Sequence, residues 1–261
     1  MTLLPFFQVD AFASKAFEGN PAAVMPLTEW LPDATLQAIA AENNLAETAF
    51  MVPSDSDEVD YHLRWFTPTV EVDLCGHATL ASAHILMSGG SIRFATRSGI
   101  LTVTRDEGLL ALELPAYPVE SGVESGLLDA LGLPESTATY LSCGGNGAAI
   151  ALLDDEAAVR AVAPDFAALR TIDRLVIVTA PGDHSAIVSR VFAAYHGIDE
   201  DPVTGSAHAA LVPFWAGRLD RLRFTALQAS KRGGHLECEL RGDRLILGGS
   251  CVTVIEGYFQ L

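Results

Sequence analysis

Two short stretches of this sequence combine glycine with polar residues at what reads as the start of a helix. In Asp73-Leu74-Cys75-Gly76-His77-Ala78-Thr79 the glycine lets backbone approach closely, and the first free N–H groups of the following helix point at whatever lies ahead. Such a turn can hold an anion; it can equally be a tight strand-to-helix junction with a polar first turn. The second stretch, from Gly197 to His208, places Asp199, Glu200 and Asp201 before Thr204-Gly205-Ser206-Ala207. Acids favour helix N-termini on electrostatic grounds alone, so an acidic cap stands beside the ligand-site reading. Cys75-Gly76-His77-Ala78 and Thr204-Gly205-Ser206-Ala207 share a Gly-polar-Ala core at the same relative point, which points to two-fold pseudo-symmetry.

The other reactive side chains have bland local settings. Glu47 sits at a helix-to-strand junction, where a glutamate is ordinarily solvated. Cys75 beside a buried helix reads as an inert core thiol, and His84 and His208 as hydrogen-bonded core histidines. Cys75 and His77 lack the second cluster that a metal site needs, so no metal is expected. Gly144-Gly145-Asn146-Gly147 has neither the following helix nor the Lys-Ser/Thr of a phosphate loop and reads as a hairpin turn.

The elements that must position these residues follow from periodicity. Strands are predicted at 3–10, 22–26, 48–52 and 61–66, with a helix between the second and third that Asp33 caps, that carries Leu36, Ile39 and Ala40 on one face, and that ends at Asn43 and Asn44. Gly76 to Met87 carries no charged residue, which fits a helix buried on all sides, with a sheet around it. Strands at 91–96, 100–105 and 109–114 complete the first half, and Pro115 and Pro118 mark a lobe boundary. The second half repeats the plan: a helix near 123–131, strands through 139–153, short helices around 155–170, strands at 174–180 and 186–195, and a second apolar helix from about Thr204 that Pro213 should kink or divide.

Composition narrows the partners. The 261 residues fit two lobes, and 49% hydrophobic content with 19% charged residues fits a folded protein. Against 33 acids stand 16 bases, a formal charge of −17, which repels phosphate backbones and anionic headgroups and argues against nucleic-acid and membrane partners. A small anionic substrate would need local positive potential, and helix N-termini supply it. The sequence carries no apolar run long enough for a membrane span and no signal-peptide pattern, so a cytoplasmic location is expected. The four cysteines, Cys75, Cys143, Cys238 and Cys251, are expected as free thiols.

Taken in order, Phe17-Glu18-Gly19-Asn20-Pro21-Ala22-Ala23-Val24, Glu47-Thr48-Ala49-Phe50, Cys75-Gly76-His77-Ala78-Thr79 and the stretch from Asp199 to His208 resemble the PhzF-like (phenazine biosynthesis) family over nearly the whole chain. The resemblance implies an α+β fold like that of diaminopimelate epimerase: two pseudo-symmetric lobes, each a mixed sheet around a central helix, with the active site in the cleft between them. It implies lobes at 1–116 and 117–249, with about 250–261 returning to the first, and a homodimer. Carried over by position, the proton-transferring glutamate falls on Glu47, with His77, Asp201 and Ser206 as its catalytic partners. Substrate-binding positions fall on Asn20, Cys75, Gly76, Thr204 and Gly205. One departure is the loop Gln228-Ala229-Ser230-Lys231-Arg232-Gly233-Gly234, where the family often has Gln-Gly and a Gly-Arg-Pro-Ser-like turn.

The implied activity is a cofactor-independent isomerisation in which a proton leaves a carbon activated by a carboxylate or unsaturated system and returns elsewhere. A carboxylate is a weak base in water, so such chemistry calls for desolvation of Glu47. A racemase or epimerase of the same fold would pair two thiols, but the second helix start offers Asp201, Thr204 and Ser206 in place of a cysteine. A catalytically silent binding protein on the same fold is the third reading.

Overall fold

The computed structural model describes every residue except Met1, Glu107, Cys143, Gly145 and Asn146; the Cys143 thiol and the centre of the expected 144–147 hairpin turn therefore lie outside the described residues. In chain order the elements are β1 (Leu3–Ala11), β2 (Asn20–Pro26), α1 (Asp33–Asn43), β3 (Glu47–Pro53), β4 (Tyr61–Phe66), β5 (Glu71–Val72), α2 (Gly76–Leu86), β6 (Ser91–Thr96), β7 (Gly99–Asp106) and β8 (Leu109–Pro115). There follow β9 (Val119–Ser121), α3 (Leu127–Leu131), β10 (Ala138–Ser142), β11 (Ala148–Leu152), α4 (Glu156–Ala161), α5 (Phe166–Leu169), β12 (Leu175–Pro181) and β13 (Ile187–Ala193). The chain closes with β14 (Ile198–Asp201), α6 (Gly205–Leu219), β15 (Arg223–Gln228), β16 (Gly234–Arg241), β17 (Arg244–Gly249) and β18 (Cys251–Gln260). Two compact units result, Met1–Glu113 with Gly248–Leu261, and Leu114–Leu247.

The strand pairing of the first unit is written again in the second. In the first, β18, β1, β2, β3, β4, β6, β7 and β8 are neighbours in that order, with β5 on β4; β2–β3 and β4–β6 are parallel and the rest antiparallel. In the second, β9, β10, β11, β12, β13, β15 and β16 follow one another, with β14 on β13; here β11–β12 and β13–β15 are the parallel pairs. Each strand from β1 to β7 thus has its counterpart nine strands later, and α2 corresponds to α6. This is an α+β fold of two pseudo-symmetric lobes.

Each lobe is centred on its apolar helix. From His77 to Ala83 every residue of α2 is buried, with Ala78, Leu80, Ala81 and Ala83 at 0% exposure. Small side chains let strands approach on all sides, so a change such as Ala81→Leu would overpack the centre at a cost of about 1–3 kcal/mol. The helix α1 instead lies on the sheet by one face: Leu36, Ile39 and Ala40 are buried with Met25, Phe50 and Phe66, the i, i+3, i+4 spacing of an amphipathic helix.

Three local expectations are corrected. Asp33 does not cap α1; Pro32 holds the N-cap position and the Asp33 carboxylate instead meets Arg64 Nη1 at 2.9 Å. The acids Asp199, Glu200 and Asp201 lie in β14, not in a helix cap. Pro213 does not divide α6, which runs unbroken to Leu219. The carbonyl deprived of a partner by a proline is the one four residues earlier, and here Ala209 O accepts the N–H of Tyr117 at 2.8 Å. A donor from outside the helix replaces the one that proline lacks.

Candidate active site

Glu47 owes its position to the end of α1. Asn44 takes the left-handed conformation (φ 48°) that closes the helix, and Glu47 then opens β3 opposite Ala22 of the parallel strand β2. The strand beyond it, Ala49 to Val52, is buried, so the carboxylate projects at the head of a core strand and its side chain is only 14% exposed. Across from it α2 begins. Cys75 is the extended N-cap residue, without a side-chain hydrogen bond to the helix, and His77 is 6% exposed.

These three side chains form a line. Cys75 Sγ lies 3.5 Å from His77 Nδ1, and His77 Nε2 lies 3.2 Å from Glu47 Oε2. The last pair is within ion-pair range but off the direction of a hydrogen bond, so both buried atoms keep directional capacity for a third group. Burial pulls His77 toward its neutral form, but the Glu47 carboxylate and the contacts with Cys75 and Glu47 outweigh it and hold the imidazole well above its ordinary value. Burial, and then the Glu47 charge, push the Cys75 thiol up to about 11. A thiol of that kind is neutral near pH 7, so the lasting negative charge beside His77 is that of Glu47.

Two other chemistries can be tested against this geometry. Donor atoms of Glu47, Cys75 and His77 fall within 4.8 Å of one another, yet opposite ring nitrogens face the other two side chains. A histidine offers one nitrogen to a given ion, so the set is a chain and not a converging cage. A cysteine nucleophile with a histidine base and a carboxylate orienter has the same connectivity, but a nucleophilic cysteine needs a lowered pKa, and Cys75 is shifted the other way and is 6% exposed.

In the second unit, Asp201 and Thr204 are tied by Gln228. Thr204 Oγ1 donates to Asp201 Oδ2, while the wholly buried Gln228 accepts Thr204 N–H at 2.9 Å and donates to Asp201 O at 2.8 Å and to Thr204 Oγ1 at 3.2 Å. Thr204, expected among substrate-binding residues, thus has its hydroxyl and N–H engaged within the protein. Ser206 stands exposed on the first turn of α6, and Gly205 is buried ahead of it. His208 is fully buried, and its Nδ1 donates to Thr204 O at 2.8 Å, as a core histidine would.

Asn20 is wholly buried at the head of β2. It follows Gly19, at φ +65°, where a Cβ would lie 2.1 Å from Ala11 O; only glycine fits that approach. Gly76 opens α2; neither N-cap residue, Cys75 or Thr204, makes a side-chain capping hydrogen bond, and the Cys75 sulfur instead lies against the His77 ring. Sequence reading singled out Gln228 only as the start of the departing 228–234 loop; its clasp on the 201–204 turn carries no local signal, because only the fold brings the two segments together.

The two-lobed α+β fold is shared with known structures. A predicted epimerase from Pseudomonas aeruginosa superimposes at TM-score 0.76 over 99% of both chains, at 18% identity. The sequence profile of the phenazine biosynthesis-like proteins, PhzC-PhzF, matches residues 9–257, and the chain belongs to that family. It is 49% identical to an uncharacterised isomerase of P. aeruginosa over 99% of both chains. It is 43% identical to a PhzF-family protein of Enterococcus faecalis whose crystal structure superimposes at TM-score 0.93, covering 100% of each.

Proposed function

We propose that this chain is an isomerase that moves a proton, with a shift of a double bond, on a small carboxylate-bearing substrate, and that Glu47 is its general acid/base. The observation that carries the reading is the placement of the largely buried Glu47 carboxylate 3.2 Å from the buried His77 Nε2, without a straight hydrogen bond between them. A substrate oxygen entering beside the pair can take the Nε2–H, while Glu47 Oε2, which has no straight hydrogen bond of its own, accepts a proton from carbon. The C–H electron pair moves into the adjoining unsaturated system, the double bond shifts, and the protonated Glu47 or His77 returns a proton to a different carbon. Nothing is oxidised or reduced. N–H groups at the start of α2 favour negative charge as it develops on the substrate.

Asp201 and Ser206 take part on the strength of the family resemblance, with Gln228 and Thr204 fixing the Asp201 turn. The same resemblance supports a cofactor-free reaction and a homodimer. The acidic composition supports a small-molecule partner over a nucleic acid, and a cytoplasmic location is proposed with it; among the described residues no helix is long and apolar enough to cross a membrane. A two-thiol racemase is the weaker reading, because the counterpart of Cys75 in the repeat is Thr204 and the counterpart of Glu47 is Leu175. The test is a screen of unsaturated carboxylates, beginning with vinylacetate, itaconate and 2,5-cyclohexadiene-1-carboxylate, for isomerisation followed by NMR.

A further inference from the structure

We infer that Cys75 is a positioning residue: its sulfur accepts the Nδ1–H of His77 and so fixes the ring with Nε2 toward Glu47. This deepens the proposed function and rests on it for its chemical meaning. Three observations carry it. Cys75 Sγ lies 3.5 Å from Nδ1 in a buried setting, within the longer reach of a sulfur hydrogen bond. The opposite nitrogen lies 3.2 Å from a carboxylate. Cys75 is also the N-cap of the helix that carries His77, so sulfur and ring come from one turn whose extended-to-helical change (φ −144° at Cys75) sets their separation.

An imidazole has one rotation about its bond to Cβ that places both nitrogens. A partner on Nδ1 therefore decides where Nε2 points, as the carboxylate or carbonyl behind many working histidines does. Sulfur is a weak acceptor, which suits this place. It orients a cation without adding a second negative charge beside Glu47, where an aspartate would compete for the imidazolium. The thiol is neutral near pH 7 for the reason given above, so it neither attacks nor transfers a proton. Glu47 and Cys75 are the two titratable groups that bear on His77.

The contact can be read in the resting protein, without turnover, so failure here is distinct from failure of the isomerase reading. The protein is labelled with 15N-histidine, and the His77 ring signals are identified among the seven histidines by their loss in His77→Gln. In the wild type both ring nitrogens should carry protons at neutral pH; a bare Nδ1 would overturn the assignment. In Cys75→Ala the buried Nδ1–H loses its acceptor, and the midpoint of the His77 titration should fall by about one pH unit or more. Cys75→Ser, which keeps an acceptor, should restore most of that fall. Thermal melts establish that both variants are folded. A His77 titration in Cys75→Ala that superimposes on the wild type would refute the positioning role.

Discussion

Glu47 and Leu175 stand at the same point of the two matching strand orders: each is the first residue of its strand, opposite an alanine of the parallel neighbour, Ala22 in one case and Ala148 in the other. One repeat carries a carboxylate there and the other a buried leucine, 6% exposed. The chemistry of that position therefore belongs to one repeat. Leu175→Met, which conserves volume, should leave turnover within about two-fold of wild type, measured on whichever carboxylate of the screen reacts. A loss comparable to that of a Glu47 variant would show that the second repeat supplies part of the reacting apparatus.

His77 makes stability depend on pH in a defined sense. Its folded value is raised above the ordinary 6.5, so the stabilisation is fully present below about pH 6.5 and is lost as pH rises through the folded value. Urea denaturation of wild type and His77→Gln from pH 5.5 to 9 should show the largest gap at the acid end and a narrowing gap above it. A constant gap would mean that the histidine is neutral throughout.

His208 acts in the opposite sense. Burial lowers it to about 4, so it favours folding above pH 6.5 and loses that contribution as pH falls toward 4. Relative to His208→Leu, the wild type should lose about 3 kcal/mol across that window, from the shift of 6.5 to about 4. Equal acid sensitivity of the two proteins would place the acid transition elsewhere.

Much of this architecture was legible locally, and the reasons differ by element. The α2 stretch lacks charge for a whole helix length, which only burial on all sides explains, and the Gly-polar-Ala repeat at 76–78 and 205–207 marks matching helix starts. Side-chain partnerships were less legible. Asp33 looks like a cap because acids favour that place, but Arg64 lies 31 residues away in sequence and competes successfully for it. Pro213 looks like a break because its replacement donor, Tyr117, belongs to a distant segment. Glu47 shows nothing in its own neighbourhood; its pairing with His77 depends on β3 lying beside α2.

Gln228 should behave as a structural clamp of the Asp201 turn. Gln228→Leu leaves the Thr204 N–H and the Asp201 carbonyl without their buried partner, and should cost about 2–6 kcal/mol at roughly 1–3 kcal/mol for each such group. Thr204→Val, which removes one hydroxyl shared by Asp201 and Gln228, should cost less. Chemical denaturation of both variants provides the check, and a Gln228→Leu protein as stable as wild type would remove the clamp.

In the proposed reaction Glu47 is the base that takes the proton from carbon. Wild type and Glu47→Gln are incubated in heavy water with the reacting carboxylate, and the product is analysed by mass spectrometry and NMR for double-bond position and deuterium on carbon. The wild type should give shifted product, with solvent deuterium on carbon or with the original proton carried across. Glu47→Gln, folded alike by circular dichroism, should be slower by several orders of magnitude; turnover at the wild-type rate in that variant would contradict the account.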